Sequence, residues 1–364
     1  MSDGLAVDQF IPALLPHDAV GGHTLESRRA FREAGLAATI WARTIHHEYA
    51  GEARPYRQFG RLAAHSRQRR LLLYQAATVS HGIVEYLLDR PEPKSISYHN
   101  LTPPEFYDPF SPGVAAELRQ AREELARLAP EVKLATADSE FNAADLRSLG
   151  VLDVRVIPPF IGVGNLRPPD ATEVARLRAQ KGGPALLFVG RLVPNKNHQQ
   201  LIRLLATLRA GWNADAKLYL VGAPGPSAYV ASLHRLAARL APDGVVFMAS
   251  IRGAQLRALY EVADVFVSMS EHEGFGVPLV EAMRARLPVV ALDRGAVAET
   301  LAGSGVLLRS SELTFAAAMV ARLIEDEALR SRLIEHQAQR ANELERVPRE
   351  DLIVAAARAA ALAG

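Results

Sequence analysis

The sequence contains no cysteine. That excludes disulfides, iron–sulfur clusters and thiol nucleophiles, and it fits a reducing compartment. No stretch approaches the roughly eighteen uninterrupted apolar residues of a membrane-spanning helix. The first thirty residues carry Asp3, Asp8 and His17 among short apolar pieces and lack the basic start and apolar core of a signal peptide, so the expected address is cytoplasmic. An excess of one charge is also missing: 42 basic against 40 acidic residues give a formal charge of +2, too balanced for a dedicated nucleic-acid binder. There is no Asp-x-Asp and no His or carboxylate cluster spaced like a hard-metal site, so no metal is expected. No G-x-G-x-x-G follows an early strand, and "VGAPGP" at 221–226 only partly imitates that dinucleotide fingerprint, which argues against a nicotinamide dehydrogenase. Short repeats and low-complexity tracts are absent as well.

What is present is ample material for folding. Its 364 residues exceed what one hydrophobic core usually organises, and 49% apolar with 23% charged residues is ordinary for a globular protein. Short apolar runs alternate with amphipathic stretches, the rhythm of βα units in a parallel sheet. In the second half the runs are "ALLFVG", "AKLYLVG", "GVVFMA", "DVFVSMS" and "LPVVALD". The first half repeats the scheme with "AVDQFIPALL", "AATIWA", "RLLLYQA", "SISYHN", "VKLATAD" and "VRVIPP". The helices "TLESRRAFREAG" and "VAAELRQAREELARL" fall between them. "PFIGVGNLRPPD" is rich in Pro and Gly without periodicity, which marks a linker. The expected organisation is α/β: a Rossmann-like domain over 1–162, a linker over 163–183, a second Rossmann-like domain over 184–345, and a final Ala-rich helix over 346–364. Two such halves with parallel sheets would face a cleft, and ligands would bind at loops that follow strands.

The most informative stretch is "EHEGFGVPLVEAM", residues 271–283, where Glu273 and Glu281 flank a spacer of glycine and apolar residues. Gly274 and Gly276 allow close backbone approach, Pro278 suits the first position of a helix and so places Glu281 in its first turn, and the free N–H groups of the turn and helix start suit a diphosphate. Two carboxylates repel an anion unless they meet neutral parts of the same ligand, such as sugar and ribose hydroxyls that donate to them. A nucleotide sugar satisfies both demands. The competing reading is that Glu281 complements a helix dipole and Glu273 is a solvated loop residue. "GRLVPNKN" places Arg191 and Lys196 after another strand, where they can neutralise a departing diphosphate. By themselves a lone Arg and Lys in a loop are usually solvated surface, and only their agreement with the other motif reverses that reading.

These segments resemble the E-x7-E retaining glycosyltransferases of family 4, which have the GT-B fold. "LLFVGRLVPNKN", "LYLVGAP", "LRALYEVADVFVSMSEHEGFGVPLVEAM" and "LPVVALDRGAVAET" carry the resemblance over roughly residues 184–300, and "GG" at 21–22, "SYHN" and "DSEFN" extend it weakly into the first half. The resemblance implies a retaining, metal-independent transfer of a hexose from GDP-mannose or a UDP-hexose to a hydroxyl acceptor in polysaccharide, lipopolysaccharide or glycoconjugate synthesis. No cofactor beyond the donor substrate is implied. It assigns chemistry to Arg191, Lys196, Glu273 and His99, the last beside the donor sugar. It assigns donor or acceptor contacts to Glu281, Gly274, Phe275, Gly276, Val277, Gly222, Gly21 and Gly22, the last two in a loop between the first strand and helix. His17, Asp18 and His23 could touch the acceptor there, with Asp18 better read as a helix cap. Departures from the family pattern are Ala249, Met269 and Arg286, where Gly, Pro and Gly are common; Glu299 is given no chemistry.

Residues 54–70, "RPYRQFGRLAAHSRQRR", hold six arginines with interleaved Tyr56, Phe59 and Leu62. They could form a peripheral contact with an anionic membrane and a lipid-linked acceptor, or a solvated surface element. The rival functions are a GT-B sugar-nucleotide epimerase and a non-catalytic nucleotide-sugar-binding subunit.

Overall fold

The computed structural model describes residues 4–16, 18–66, 68–160, 168–249, 251 and 253–363. The chain divides into two units: Met1–Pro104 with Gly113–Phe160 and Val347–Gly364, and Glu105–Pro112 with Ile161–Arg346. The expected linker begins in residues 163–167, which lie outside the described residues, and 171–181 of it form the helix Ala171–Lys181.

The first unit is built on seven strands, β1 (Leu5–Leu14), β2 (Ala37–Ile45), β3 (Ala53–Pro55), β4 (Arg69–Ala76), β5 (Lys94–Tyr98), β6 (Val132–Ala137) and β7 (Asp153–Val156), in the order β3-β2-β1-β4-β5-β6-β7. Every pairing is parallel. β1 is buried along nearly its whole length because helices cover both faces of the sheet, which is why it reads as a continuous apolar run. On one face the final helix, Arg349–Ala363, packs Ile353, Val354 and Ala357 against Leu5, Val7, Leu71 and Leu134. Its alanines let the helix backbone lie close to the strands. Arg349, almost fully buried, pins the start of this helix by donating from Nε to the carbonyls of Pro158 (3.2 Å) and Pro159 (2.9 Å).

The second unit has six parallel strands, β8 (Ala185–Val189), β9 (Lys217–Val221), β10 (Val245–Met248), β11 (Val265–Ser268), β12 (Val289–Leu292) and β13 (Val306–Leu308), ordered β10-β9-β8-β11-β12-β13. Leu186, Phe188, Leu218 and Val267 face the helices His198–Gly211 and Leu313–Glu325, while Leu187, Tyr219, Phe266 and Val289 face the helix Val277–Arg284.

Three expectations need correction. Residues 105–112 belong with the second unit rather than with a first domain running unbroken over 1–162, and Phe110 meets the buried Tyr229 ring edge-on at 4.9 Å. The first helix begins at Ala19, not near Thr24, because Asp18 caps it by accepting from the Gly21 N–H at 2.9 Å. Gly21 and Gly22 therefore lie in its first turns and not in a loop. The helix at 277 starts with Val277, so Pro278 is its second residue and Glu281 sits one turn in.

Candidate functional site

In both sheets the strand order reverses once, between β1 and β4 and between β8 and β11. Open parallel sheets bind ligands at such a switch point, outside the carboxyl ends of the strands, because the flanking loops leave in opposite directions. In the second unit the two flanking loops are 190–197 and 269–276, which carry the sequence motifs.

The first of these loops is shaped by close backbone packing. A Cβ on Gly222 would lie 2.1 Å from the Gly190 carbonyl oxygen, and one on Gly225 would lie 2.3 Å from that of Leu192. Gly190 N–H donates to Val221 and Leu192 N–H to Ala223, at 2.8 and 2.9 Å. Gly222 thus makes room for the turn that places Arg191. Arg191 is exposed beside Tyr107, whose phenol burial pushes up while the Arg191 charge pulls it down. The loop ends at Asn197 in the left-handed region (φ 52°), which asparagine tolerates, and the helix His198–Gly211 follows.

Asn195, nearly fully buried, ties the two loops together. Its carbonyl accepts from Glu271 N–H at 2.8 Å and its Nδ2 donates to the His272 carbonyl at 3.3 Å. Asn197 Nδ2 donates to Glu271 Oε1 at 3.3 Å. Lys196 Nζ then meets Glu273 Oε2 at 2.6 Å, with only 20% and 13% of the two side chains exposed. The Glu273 backbone is fixed from the other side. Its carbonyl accepts from Ala296 N–H at 2.9 Å, and a Cβ on Gly295 (φ 59°) would lie 2.3 Å from that oxygen. The sequence signals Gly295 only through its place in "LDRGAVAET" after a strand.

Gly276 adopts φ 88°, and with Gly274 and Phe275 it leads into the helix Val277–Arg284. Thr300 Oγ1 donates to the Phe275 carbonyl and fixes that turn. Glu281, half-buried, accepts from Tyr260 Oη at 2.8 Å. Burial holds its carboxyl above the usual range, opposed by the Tyr260 hydrogen bond and the charges of Arg284 and Arg257. Burial and the neighbouring Glu281 push the Tyr260 phenol well above its ordinary value. Ser268 donates to Ser270 at 3.1 Å beneath this loop, and Met269 is buried in the core. Arg286 takes φ 59°, the conformation for which a glycine would be unstrained.

In the first unit His99 directly follows β5, with its ring almost buried and both nitrogens engaged. Nδ1 lies 3.0 Å from Asp138 Oδ2 and Nε2 lies 2.8 Å from Gln75 Oε1. Gln75 Nε2 donates to Gln9 Oε1 at 2.9 Å, and Gln9 Nε2 to the Thr24 carbonyl at 3.1 Å. His99 is therefore held as part of a buried polar chain. His23 packs against it with ring centroids 4.7 Å apart, and neither His23 nitrogen has a hydrogen-bond partner among the described residues. Burial pushes His23 well below its usual value. His17 lies outside the described residues. His46, His47 and Glu48, on the turn after β2, bring their ligand atoms within 4.8 Å of one another, a grouping outside the motifs above.

The Arg-rich segment resolves differently from its expectation. Tyr56 and Phe59 are core residues and Arg70 is bound to the buried Asp8 at 2.7 Å, which leaves Arg54, Arg57, Arg61, Leu62 and Arg69 on the surface. Arg67 lies outside the described residues. No described helix is long and apolar enough to cross a membrane.

Residues 170–340 match the family model of glycosyl transferases group 1, a span that holds Arg191, Lys196, Gly222, Glu273, Glu281 and Gly295 but not His99, Gly21 or Gly22. The chain is 34% identical over 217 residues to the D-inositol 3-phosphate glycosyltransferase of Kineococcus radiotolerans, covering 54% of this chain and 49% of the relative. It is 35% identical over 157 residues to the GDP-mannose-dependent alpha-(1-6)-phosphatidylinositol monomannoside mannosyltransferase of Mycolicibacterium smegmatis, covering 40% of each. The chain thus spans half or less of the length of these curated relatives. Its fold matches that of Anabaena HepE in complex with UDP-glucose, with a TM-score of 0.71 over 99% of this chain and all of the other, at 19% identity. The fold is GT-B, and the resemblance to glycosyl transferases group 1 stands on sequence over residues 170–340.

Proposed function

We propose that this chain, GT-B in fold and matched to glycosyl transferases group 1 over its second unit, is a retaining glycosyltransferase. It would move a hexose from a nucleotide-diphosphate sugar to a hydroxyl acceptor. The observation that carries the reading is the contact of Lys196 with Glu273 at 2.6 Å beside the β8–β11 switch point. One ligand with an anionic diphosphate and neutral hydroxyls suits a cation and a carboxylate placed so close together.

In this reading the glycosyl–phosphate bond breaks with its electron pair passing to the phosphate oxygen, and Arg191 and Lys196 neutralise the charge that develops. Those side chains do the work that a divalent ion does elsewhere, so the transfer proceeds without a metal. The acceptor hydroxyl attacks the face the diphosphate leaves, and a departing phosphate oxygen takes its proton. Sugar hydroxyls donate to Glu273 and ribose hydroxyls to Glu281, whose Oε2 already accepts from Tyr260. GDP-mannose and UDP-hexoses are the first donors to try, since the mycobacterial relative is named for the former and the Anabaena structure holds UDP-glucose. Acceptors fall among polysaccharide, lipopolysaccharide and other glycoconjugate hydroxyls. A charge-only contact of Arg54, Arg57, Arg61 and Arg69 with anionic lipid belongs to the same proposal and would be lost in high salt.

The test is a panel of UDP- and GDP-hexoses assayed for binding and slow hydrolysis, with and without a chelator, followed by NMR of the product anomer. One donor should turn over with retention and be indifferent to the chelator. Arg191→Ala and Lys196→Ala should each lower that turnover by about 10² to 10³. An inverted product, or two fully active variants, would overturn the reading.

A further inference from the structure

Among the described residues Lys196 pairs with one carboxylate, Glu273, and that carboxylate is the one assigned above to the sugar. The neighbouring acids are engaged elsewhere: Glu271 lies 3.4 Å from Arg294 and accepts from Asn197, and Glu281 is held by Tyr260. Neither loop can easily swing apart, because Asn195 bridges them and Ala296 holds the Glu273 carbonyl. Glu273, with 13% of its side chain exposed, has little access to water as an alternative partner.

From this arrangement we infer that Glu273 makes the site discriminate a loaded donor from the spent nucleoside diphosphate, by competing with the diphosphate for Lys196. The inference rests on the donor reading above. When a sugar nucleotide is bound, sugar hydroxyls donate to Glu273, and the Lys196 ammonium is free to serve the diphosphate. After transfer those donors have left with the sugar. A mostly buried carboxylate without hydrogen bonds is costly, so Glu273 draws the ammonium back. The diphosphate loses part of its cationic grip and its release is favoured. The same carboxylate thus strengthens donor binding through the sugar and weakens product binding through Lys196.

The experiment is isothermal titration of the full chain with UDP, GDP and the matching hexose nucleotides, comparing wild type with Glu273→Gln. The amide keeps the side chain's size and can accept from a sugar hydroxyl, but it no longer attracts the ammonium strongly. Glu273→Gln should bind the nucleoside diphosphate about tenfold more tightly than wild type, the scale of one charge-assisted hydrogen bond. It should also bind the sugar nucleotide more weakly. A gain in affinity cannot come from a misfolded protein. In a Lys196→Met background the same change should bring no gain, which assigns the effect to this pair. Unchanged or weakened diphosphate binding in Glu273→Gln, with wild type binding both ligands, overturns this inference and leaves the donor reading intact. Wild type that binds no nucleotide of either kind overturns both. Should Glu273→Gln fail to fold, Glu273→Ala provides the same comparison and the same overturning result.

Discussion

Glu281 accepts one hydrogen bond from Tyr260 in the second unit, and the burial of its carboxylate makes stability depend on pH. Glu281 has its ordinary carboxyl value of 4.5 raised in the folded chain, chiefly by burial. Between that ordinary value and the raised one, the folded state binds more protons than the unfolded state. Unfolding free energy therefore falls as pH rises through this window, and the penalty is fully present above it. Glu281→Gln keeps an acceptor for the Tyr260 hydroxyl and removes the half-buried charge. It should flatten the pH dependence just above 4.5 and raise the melting temperature near neutral pH, while weakening donor binding because a neutral amide accepts less strongly from the ribose than a carboxylate does. Thermal melts of both proteins across that range check this; an unchanged pH profile would contradict the burial argument. The sequence motif shows that a carboxylate stands at 281. It does not show Tyr260, 21 residues earlier, because that partner depends on how the helix Gly253–Val262 packs.

At the scale of elements, most strands and the loops that follow them could be read directly. A strand buried on both faces is a run rich in apolar residues, and eleven of the thirteen described strands lie within or overlap such runs. β3 and β13 escaped because three residues at a sheet edge carry too little pattern. The early start of the first helix was hidden by Gly21 and Gly22, which suggest a loop, although Asp18 was recognised as a cap. His99 illustrates the other limit. "SYHN" places a histidine at a strand end, but Gln75 and Asp138, which occupy its nitrogens, and Gln9, which accepts from Gln75, come from three other positions in the fold. Gly295 is the element-scale counterpart: its turn supports Glu273 from a third loop. Gly295→Ala would force a left-handed alanine against the Glu273 carbonyl, at about 2 kcal/mol or more. It should lower both the melting temperature and turnover, although the residue touches no substrate. A variant with native stability and full turnover would show that this loop yields freely.

At the scale of the molecule, the order 3-2-1-4-5-6 recurs in both units, and each has a switch point between its first and fourth strands. The chain leaves the first unit after Phe160 and returns to it at Val347, so the sequence boundaries of the second unit enclose a continuous stretch apart from residues 105–112. That excursion was not legible, since its apolar residues are only Phe106, Tyr107 and Phe110, and their packing is visible only in three dimensions. The motifs that carry the proposed chemistry all fall in the second unit, on the loops after β8, β9 and β11 and in the helix Val277–Arg284. The central claim is that these loops hold one ligand, with its charged and neutral parts sorted between cations and carboxylates. A crystal structure with the best-bound nucleotide sugar tests it most directly. Arg191 and Lys196 should lie about 2.7–3.2 Å from diphosphate oxygens, with Glu273 on a sugar hydroxyl and Glu281 on the ribose of the same molecule. A nucleotide sugar seated away from the β8–β11 loops, or one whose diphosphate touches neither cation, would contradict the account.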